Sequence, residues 1–485
     1  MDKTGQASRR EFLGTALGAA GTLAAPLIVP ARALGRGATA PSDRVSVGII
    51  GSGGRAVFET SQYPYFDNVE IVAVCDAQET RRMSAKAALE GLYAKTRPAG
   101  TYRGIRMYND FRDLLAQKDI DGVYIATPDH WHVPITVAAM KAGKHCHTEK
   151  PLGVSVEQDH AALAAVHKYK KIFQYGAERR STPDARKGIE LVLNGRIGKV
   201  QKIYVVGPPS ETGGSATPVI PVPKGFDYDM WLGPAPEKPF CADRCLEGSN
   251  GRNGIFFIYD YCLGFMANWA AHPLDQVQWW ADHSHRTFPV KYEGTGTLPT
   301  EGLFDTVSHW DVTCTYEDGL VMQFCDNETY RKHDDAPHPE MPWGRKGVTN
   351  VANGAVFLGT EGWVIVAYEK VVTSPASLMD SVIGPNEIHL PDNSLPAIPA
   401  GMSTGQQQIY TAAHHQNWIK AIRNGTQPVG DIEGAVRSDM VSLLSELCVR
   451  TGQSLRWDPK AQTITGNEAA RKMMSRPMRG GWKLS

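Results

Sequence analysis

The stretch from 45 to 56, VSVGIIGSGGRA, restricts the fold of this chain more than any other. A short, mostly apolar run typical of a buried strand leads directly into a G-x-G-x-x-A turn that opens a helix. In such a turn Gly51 permits the tight bend, Gly53 lets the backbone approach a pyrophosphate, and Ala56 lets helix and strand pack closely. The pattern predicts a dinucleotide-binding βαβ unit, but Gly-rich turns are common and the context has to support it.

Strand and helix continue to alternate after this turn. Helices are predicted at about 78–95 and 155–170, and Asn109 or Asp110 can cap a short helix between them. Further strands are predicted at 69–76, 122–127, 144–148 and 172–176. Strands of this kind that alternate with helices make a doubly wound parallel sheet, so we predict an α/β Rossmann domain at 41–176.

Asp76 ends the second predicted strand, about 25 residues after the first glycine of the turn. An acid near this spacing binds the adenosine ribose in dinucleotide-binding folds. It favours NAD over NADP, because a 2′-phosphate would be repelled. Arg81 and Arg82 follow closely and keep NADP open as an alternative. A capping role for Asp76 is compatible with ribose binding.

The charged pair Glu149-Lys150 follows the strand at 144–148 and is stopped by Pro151. Open α/β sheets bind ligands at the carboxyl ends of their strands, which is where this pair would lie. The proline restricts the backbone of the residue before it, so the direction of the lysine is fixed. A solvated surface lysine is the ordinary alternative.

The apolar pattern changes after Gly198 from continuous runs to alternation. Two stretches, 309–326 and 355–368, read as β-hairpins. Helices are predicted at 414–425 and 434–452, after a Ser/Pro-rich linker at 374–405. We predict an α+β domain at 177–485 with a mostly antiparallel sheet, whose last segment can return to the Rossmann domain. One face of that sheet would be free to form a homo-oligomer.

Residues 1–40 contain the three parts of an export signal in order. Arg9-Arg10 precedes Phe12-Leu13, an uncharged Ala/Gly-rich run follows, and an A-x-A cleavage site lies at 31–33. The apolar run is shorter than the ~20 residues of a membrane span. We expect a twin-arginine signal and a periplasmic protein without a membrane span.

The composition limits which partners and metals this chain is expected to bind. Lysine plus arginine and aspartate plus glutamate number 51 each, which leaves no electrostatic basis for binding nucleic acid or an anionic membrane. Of eight cysteines, Cys75 and Cys146 lie in strand patterns and are expected in the core. Cys241 and Cys245 could form a disulfide in an oxidising periplasm. No Cys/His pairs have convincing zinc spacing, so no metal is predicted.

Eight sequence blocks together resemble the Gfo/Idh/MocA family of oxidoreductases, in the bacterial branch that carries twin-arginine signals. They occur in the family order, from about residue 44 to the end, as GIIGSGGRA, AVCD, TPDHWH, AGKHCHTEKP, MWLGPAP, NWAAHPLD, GTEGW and LRWDP. The resemblance implies a Rossmann domain followed by an α/β domain whose sheet shields the nicotinamide and forms the substrate pocket.

The resemblance also implies roles by position. It places Gly51, Gly53, Gly54 and Arg55 at the pyrophosphate, Asp76 at the adenosine ribose, Thr127, Pro128, Trp131 and His132 along the dinucleotide, and Glu149 with Lys150 at the nicotinamide ribose and substrate. The Lys150–Pro151 bond would be cis.

His272 matches the catalytic histidine of the family and would take the proton of a sugar hydroxyl as hydride leaves the carbon. Lys150 would polarise or position that hydroxyl. Asn268, four residues earlier, would point the same way on one helix. Many relatives have Asp there, and an asparagine cannot hold a proton, so activation falls on His272 alone or the chemistry differs from a simple dehydrogenase. The aromatic residues that could form a sugar-stacking wall, or else core, are Tyr228, Trp231, Tyr259, Tyr261 and Trp269.

Export would separate the enzyme from any nicotinamide pool, so the cofactor would be loaded before export and restored in each catalytic cycle. The leading hypothesis is an NAD-dependent oxidoreductase of a sugar or sugar derivative with tightly bound, internally recycled cofactor. The alternative is a redox-neutral NAD-dependent glycosidase or lyase, although a Tyr-Pro-Thr-His type of motif is missing from the sequence. A third hypothesis, for which Asn268 is the only hint, is a non-catalytic sugar-binding relative.

Overall fold

The first sheet contains six parallel strands. In the computed structural model, which describes residues 43–98, 101–245, 254–339, 353–368 and 370–484, they are β1 Val45–Ile50, β2 Val69–Cys75, β3 Arg106–Tyr108, β4 Gly122–Ile125, β5 His145–Thr148 and β6 Phe173–Tyr175. Their order is β3-β2-β1-β4-β5-β6. This is the doubly wound order, and the predicted Rossmann sheet is confirmed. The predicted export signal at 1–40 lies outside the described residues.

Five helices belong to this part of the chain: α1 Gly54–Thr60, α2 Glu79–Thr96, α3 Phe111–Leu115, α4 His132–Lys141 and α5 Val156–Tyr169. Asp110 caps α3 by accepting a hydrogen bond from the Arg112 N–H, as the sequence allowed. Ser155 caps α5 in the same way through Gln158. Strand order reverses between β1 and β4, so the loops that follow these two strands open a crevice at their carboxyl ends.

The second sheet contains nine strands in the order β13-β12-β11-β7-β10-β9-β8-β14-β15. They are β7 Val200–Gly207, β8 Lys291–Thr297, β9 His309–Thr315, β10 Val321–Asp326, β11 Gly354–Gly359, β12 Trp363–Ala367, β13 Val371–Ser374, β14 Leu455–Asp458 and β15 Thr463–Thr465. Only the β7–β10 pairing is parallel. Both predicted hairpins form, β9–β10 and β11–β12, and Gly319 turns the first with a φ of 84°.

The remaining helices are α6 Pro183–Leu193, α7 Tyr228–Leu232, α8 Ala242–Cys245, α9 Ala271–His283, α10 Asn327–Tyr330, α11 Gln406–Asn424, α12 Ile432–Thr451 and α13 Glu468–Lys472. Helices α6, α9 and α12 pack with the second sheet. Helix α11 begins earlier than predicted and packs on the Rossmann part, where Trp418 and Ile419 join the core around β1 and β2. A segment of the chain between β13 and β14 of the second sheet therefore supports the first sheet.

The opposite face of the second sheet is partly covered by the chain itself. Tyr204, Val356 and Ile365 form an apolar cluster there with Tyr330 and Ala336, which follow β10. Packing of a second subunit on this face stays a prediction. None of the described helices combines the length and the apolar character that a bilayer crossing requires.

All eight cysteines are buried and carry free thiols. Cys75 and Cys146 lie in β2 and β5, as expected. The disulfide that the sequence allowed between Cys241 and Cys245 is not formed, although Cys245 ends α8 near Cys241. Burial raises the pKa of the Cys245 thiol to about 12, so this thiol is protonated at neutral pH.

Candidate active site

A cavity of about 430 Å³ lies at the carboxyl ends of the first sheet and is closed by residues from the second part of the chain. All thirteen residues that the sequence assigned to the site line it: Gly51, Gly53, Gly54, Arg55, Asp76, Thr127, Pro128, Trp131, His132, Glu149, Lys150, Asn268 and His272. The sequence therefore located the cavity, but several side chains have partners that it did not predict.

The Gly-rich turn brings the loops after β1 and β4 together. Gly51 has a φ of 82°, and a Cβ atom there would come within 2.6 Å of the backbone of Ala126 and Thr127. A Cβ atom on Gly53 would lie 2.9 Å from Nη1 of Arg81. The first N–H groups of α1 have no intrahelical acceptor and lie beside this turn. A narrow, side-chain-free turn ahead of such N–H groups fits a dinucleotide pyrophosphate.

Asp76 follows β2 at the other end of the predicted cofactor site. Its carboxylate accepts hydrogen bonds from the backbone N–H of Ser52, at 2.8 Å, and of Gln78, at 2.9 Å. Burial raises its pKa, while these bonds and the nearby Arg81 and Arg82 oppose the shift. Asp76 thus fastens the Gly-rich turn to the start of α2 and also faces the cavity, which suits a ribose-binding acid.

The Arg55 guanidinium contacts carboxylates that the sequence did not predict as its partners, and its contact with a pyrophosphate stays a prediction. Nη2 lies 2.9 Å from Glu59 and 3.1 Å from Glu178, and Nε lies 3.5 Å from Glu149. Glu149 also accepts a hydrogen bond of 2.6 Å from the Tyr124 hydroxyl. Burial disfavours the charged guanidinium, but the three acids more than compensate and raise its pKa. Arg55 and Glu149 form the charged floor of the cavity.

The TPDHWH segment connects the two parts of the chain. The two ring nitrogens of His132 lie 2.7 Å from the Pro151 carbonyl oxygen and 2.9 Å from that of Thr127, so the ring bridges two loops. The Trp131 indole N–H donates to the carbonyl of Trp231 at 3.1 Å. Gly233 packs so closely on this indole that a Cβ atom would lie 2.0 Å from it. His132 is therefore a brace between loops, and Trp131 anchors the MWLGPAP segment.

Lys150 and Asn268 contact each other directly. The Lys150 ammonium donates to the backbone oxygen of Asn268 at 2.8 Å and to its Oδ1 at 2.9 Å. Burial lowers the pKa of Lys150, and Glu149 opposes that shift. The Lys150–Pro151 bond is cis, as the resemblance implied.

The predicted single helix carrying Asn268 and His272 is wrong. Asn268 lies in turns after the short 3₁₀ segment Gly264–Met266, whereas α9 begins at Ala271. Pro273 explains the difference, because it has no N–H to donate to the Trp269 carbonyl and so favours the first turn of a helix over its interior. Both side chains still line the cavity.

His272 lies in the first turn of α9 and is 4% exposed. Burial lowers its pKa to about 3, and the nearby Lys150 and Arg55 add to the shift while Glu178 opposes it. The imidazole is therefore neutral at physiological pH and can accept a proton. Nδ1 is buried without a hydrogen-bond partner among the described residues.

The aromatic candidates divide into two groups. Trp231 and Trp269 line the cavity. Tyr261 is buried against Trp231, Tyr228 stacks on Trp231 outside the cavity, and Tyr259 lies between Arg450 and Arg476. The latter three are packing residues.

Among the polar lining residues that sequence reasoning missed are Asp129, Tyr368 and Gln407. Tyr368 follows β12 and packs on His272, with ring centroids 5.1 Å apart. Gln407, in the first turn of α11, donates to the Tyr368 hydroxyl at 3.4 Å. Tyr368 could have been identified as a candidate because it lies at the end of a predicted strand. No sequence signal pointed to Gln407.

One group of potential metal ligands lies outside the cavity. Donor atoms of Asp311, Cys325 and His333 are all within 4.8 Å of one another. Asp311 and Cys325 are opposite one another on β9 and β10, so their proximity depends on strand pairing and shows no sequence motif. Gln323 and His333 already contact the Asp311 carboxylate, at 2.5 and 3.3 Å.

Comparisons with known proteins agree with this geometry. The profile of the oxidoreductase family with an NAD-binding Rossmann fold, GFO_IDH_MocA, matches residues 45–177. The profile of the C-terminal alpha/beta domain of the same family, GFO_IDH_MocA_C2, matches residues 210–346. The two profiles together cover more than half of the chain.

Curated relatives are matched over shorter stretches. A glycosyl hydrolase family 109 protein of Shewanella putrefaciens is 38% identical over 117 residues, which is 24% of each chain. A glycosyl hydrolase family 109 protein 2 of Shewanella sp. strain ANA-3 is 34% identical over 152 residues, 31% of this chain and 30% of that one. The chain thus matches less than a third of the length of these relatives.

Solved structures share the fold at low identity. Myo-inositol 2-dehydrogenase from Lactobacillus plantarum is 17% identical, with a TM-score of 0.53 over 85% of this chain and 99% of that one. Scyllo-inositol dehydrogenase from Lactobacillus casei, solved with NAD(H) and scyllo-inositol, is 16% identical with the same TM-score and the same shares.

Proposed function

The chain belongs to the Gfo/Idh/MocA family of oxidoreductases, and from this premise we propose that it is an NAD-dependent enzyme that transfers hydride at a CH–OH group of a sugar or sugar derivative. The observation that carries the proposal is the convergence of Lys150, Asn268 and His272 with the Gly-rich turn on one cavity. Asp76 favours NAD as the cofactor, and Arg81, which also lines the cavity, leaves NADP as an alternative.

The side chains of the cavity can divide the work of oxidation. NAD, when bound, supplies the acceptor for the hydride that leaves the substrate carbon. Lys150 holds the substrate hydroxyl with an N–H that Asn268 does not use, since an ammonium has three donors. His272, neutral because it is buried, accepts the hydroxyl proton on a ring nitrogen. Trp269 and Tyr368 form walls that exclude water from these groups.

We further propose that residues 1–40 direct export to the periplasm and that the cofactor stays bound and is restored within each cycle. The twin arginine, the apolar run and the A-x-A site support export. Denatured mature protein should release about one dinucleotide per chain in mass spectrometry. Protein that releases none would rule out the trapped cofactor. Assembly into a homo-oligomer through the second sheet belongs to the same proposal.

A second candidate is an NAD-dependent, redox-neutral glycosidase or lyase. It is favoured by the relatives named glycosyl hydrolase family 109 proteins and by the amide at Asn268 in place of a carboxylate. In this chemistry bound NAD would take a hydride from the sugar and so acidify the neighbouring C–H. A base would remove that proton as the leaving group departs, water would add in its place in a glycosidase, and the hydride would return to the sugar.

One experiment separates these candidates. Purified protein is incubated with a panel of free sugars and aryl glycosides, while nicotinamide absorbance and aglycone are followed together. Reduced cofactor accumulating with a free sugar supports the dehydrogenase, and aglycone released without net reduced cofactor supports the glycosidase or lyase. If Lys150→Ala and His272→Ala retain both cofactor and wild-type turnover, the assigned catalytic roles are wrong. Sugar binding with no turnover on any substrate would instead indicate a non-catalytic relative.

A further inference from the structure

Asp129 places a buried carboxylate next to Asn268, and neither the mechanism above nor the sequence analysis uses it. The residue lies in the short 3₁₀ segment Asp129–Trp131, is 5% exposed and lines the cavity. Its Oδ2 accepts a hydrogen bond of 3.5 Å from Nδ2 of Asn268. No lysine or arginine among the described residues forms an ion pair with it. A buried carboxylate usually has such a partner, so its single side-chain hydrogen bond is informative.

The Asp129 carboxylate determines which way the Asn268 amide points. An ionised carboxylate only accepts hydrogen bonds, and the Lys150 ammonium only donates them. With Nδ2 toward Asp129 and Oδ1 toward Lys150, both contacts are favourable. A flipped amide would oppose oxygen to oxygen and N–H to N–H, so two unfavourable contacts would replace two favourable ones.

The amide orientation in turn fixes the Lys150 ammonium. Two of its three N–H groups are directed to Asn268, one to the backbone oxygen and one to Oδ1. Only the third can reach a ligand in the cavity. A base would need a neutral amine with a lone pair toward the substrate, whereas this arrangement presents a cationic donor.

Several charged groups influence the protonation of Lys150 and Asp129, the two ends of the Lys150–Asn268–Asp129 array. The groups that act on Lys150 are the acids Glu59, Glu149, Glu178 and Asp129 and the bases Arg55 and His272. Those that act on Asp129 are Lys150, His132, Glu149, Cys262 and Asp439. Burial raises the pKa of Asp129, but His132, Lys150 and the Asn268 hydrogen bond oppose that shift. Asp129 in turn raises the pKa of Lys150 and so favours its ammonium form.

We propose that Asp129 is a positioning residue: it orients the Asn268 amide and thereby holds Lys150 as a cationic hydrogen-bond donor to the substrate hydroxyl. This inference rests on the proposed function for the identity of the ligand. The state of Lys150 itself can be measured without turnover. Lys150 and the Asp129 carboxylate are thus connected through the Asn268 amide and do not contact each other directly.

The test uses Asp129→Asn in the mature full-length protein, with the exposed Asp121→Asn at the opposite end of β4 as a matched control. Reaction of Lys150 with acetic anhydride is followed across pH by peptide mass spectrometry, because only the neutral amine reacts. The midpoint of labelling should move to lower pH in Asp129→Asn and stay unchanged in Asp121→Asn. Labelling also works if no substrate is known. If Asp129→Asn does not fold, Asp129→Ser replaces it.

A rescue experiment distinguishes positioning from a structural role. Asp129→Asn should lose about 10- to 100-fold in kcat, since a misplaced donor costs that much. Adding Asn268→Asp gives Lys150 a direct carboxylate partner and should restore the labelling midpoint and most of the kcat. An unchanged labelling midpoint in Asp129→Asn, or no rescue in a folded double variant, would overturn the inference. A wild-type protein without bound dinucleotide or turnover contradicts the proposed function instead, and the labelling result then decides the inference alone.

Discussion

The Gly-rich turn after β1 and the segment before α9 face the same cavity, but different forces hold them. The turn is shaped by backbone: Gly51 is constrained by contact with the Ala126 backbone, and Asp76 binds N–H groups. The segment before α9 is held by hydrogen bonds between buried polar side chains. Asn268 accepts a hydrogen bond from Lys150 and donates one to Asp129. Backbone groups suit a part of the ligand that does not vary, whereas side chains can be exchanged to select a substrate.

We call the part of the cavity formed by the Gly-rich turn the backbone half, and the part formed by the side chains of the segment before α9 and their partners the side-chain half. The largest effect is expected on the side-chain half. His272→Ala removes the group that accepts the substrate proton, so kcat should fall by about 100- to 10,000-fold. Bound dinucleotide should be retained, because the backbone half is untouched. The exposed His283→Ala, at the other end of α9, is the matched control. Loss of dinucleotide together with activity in His272→Ala would show that the two halves are not separable.

Gly51→Ala addresses the backbone half. Its Cβ atom would approach the Ala126 backbone at 2.6 Å from a left-handed φ of 82°, so we expect a loss of about 1–3 kcal/mol in unfolding free energy. Dinucleotide affinity should fall by about 10-fold or more, since the turn must move. Gly91→Ala, in α2 with open space around it, should be neutral or stabilising. Thermal denaturation and dinucleotide titration measure both effects, and an unaffected Gly51→Ala would contradict the close approach.

A third experiment examines the contact of α12 with the loop that follows the cis proline, Pro151. Asp439 accepts a hydrogen bond of 3.1 Å from the Gly153 N–H, and burial raises its pKa to about 7 beside Asp159. An unfolded aspartate titrates near pH ~4, so between about pH 4 and 7 the folded protein keeps a proton that the unfolded chain has lost. Stability from this pair is therefore lost as pH rises through that window.

Asp439→Asn removes the titration and should raise Tm relative to wild type more at pH 8 than at pH 5. The exposed Asp121→Asn should show no such trend. A Tm difference that does not vary with pH would mean that Asp439 does not keep its proton in the folded protein at neutral pH.

The smallest effect is expected at the outer wall of the side-chain half. Tyr368→Phe removes the hydroxyl that accepts from Gln407, a contact worth about 0.5–1.5 kcal/mol. KM should rise by about 2- to 10-fold with kcat nearly unchanged, because the hydroxyl supports binding and not proton transfer. Tyr228→Phe, outside the cavity, should leave both constants unchanged. A fall in kcat instead of a rise in KM would give Tyr368 a chemical role.

The same division explains which residues the sequence revealed. Gly51 and Asp76 were predictable because a turn and a strand end fix their positions locally. Of the partners of Arg55, only Glu59, four residues on in the same helix, was predictable; Glu149 and Glu178 come from elements far along the chain.

The side-chain half was harder to predict. Asn268 and His272 were identified by motif, yet their helix was predicted wrongly because Pro273 shifts its start. Asp129 was present within a recognised motif, but its role depends on a contact across 139 residues of sequence.

The contact between Trp131 and the MWLGPAP segment has a kinetic consequence. The indole is hydrogen-bonded to Trp231 and packed on Gly233, so the wall over the cavity is latched to the loop that follows β4. We expect this contact to slow the exchange of a bound molecule, because movement of the MWLGPAP segment would have to break the hydrogen bond and the close packing first. Slow exchange is what the proposed internal recycling of the cofactor requires.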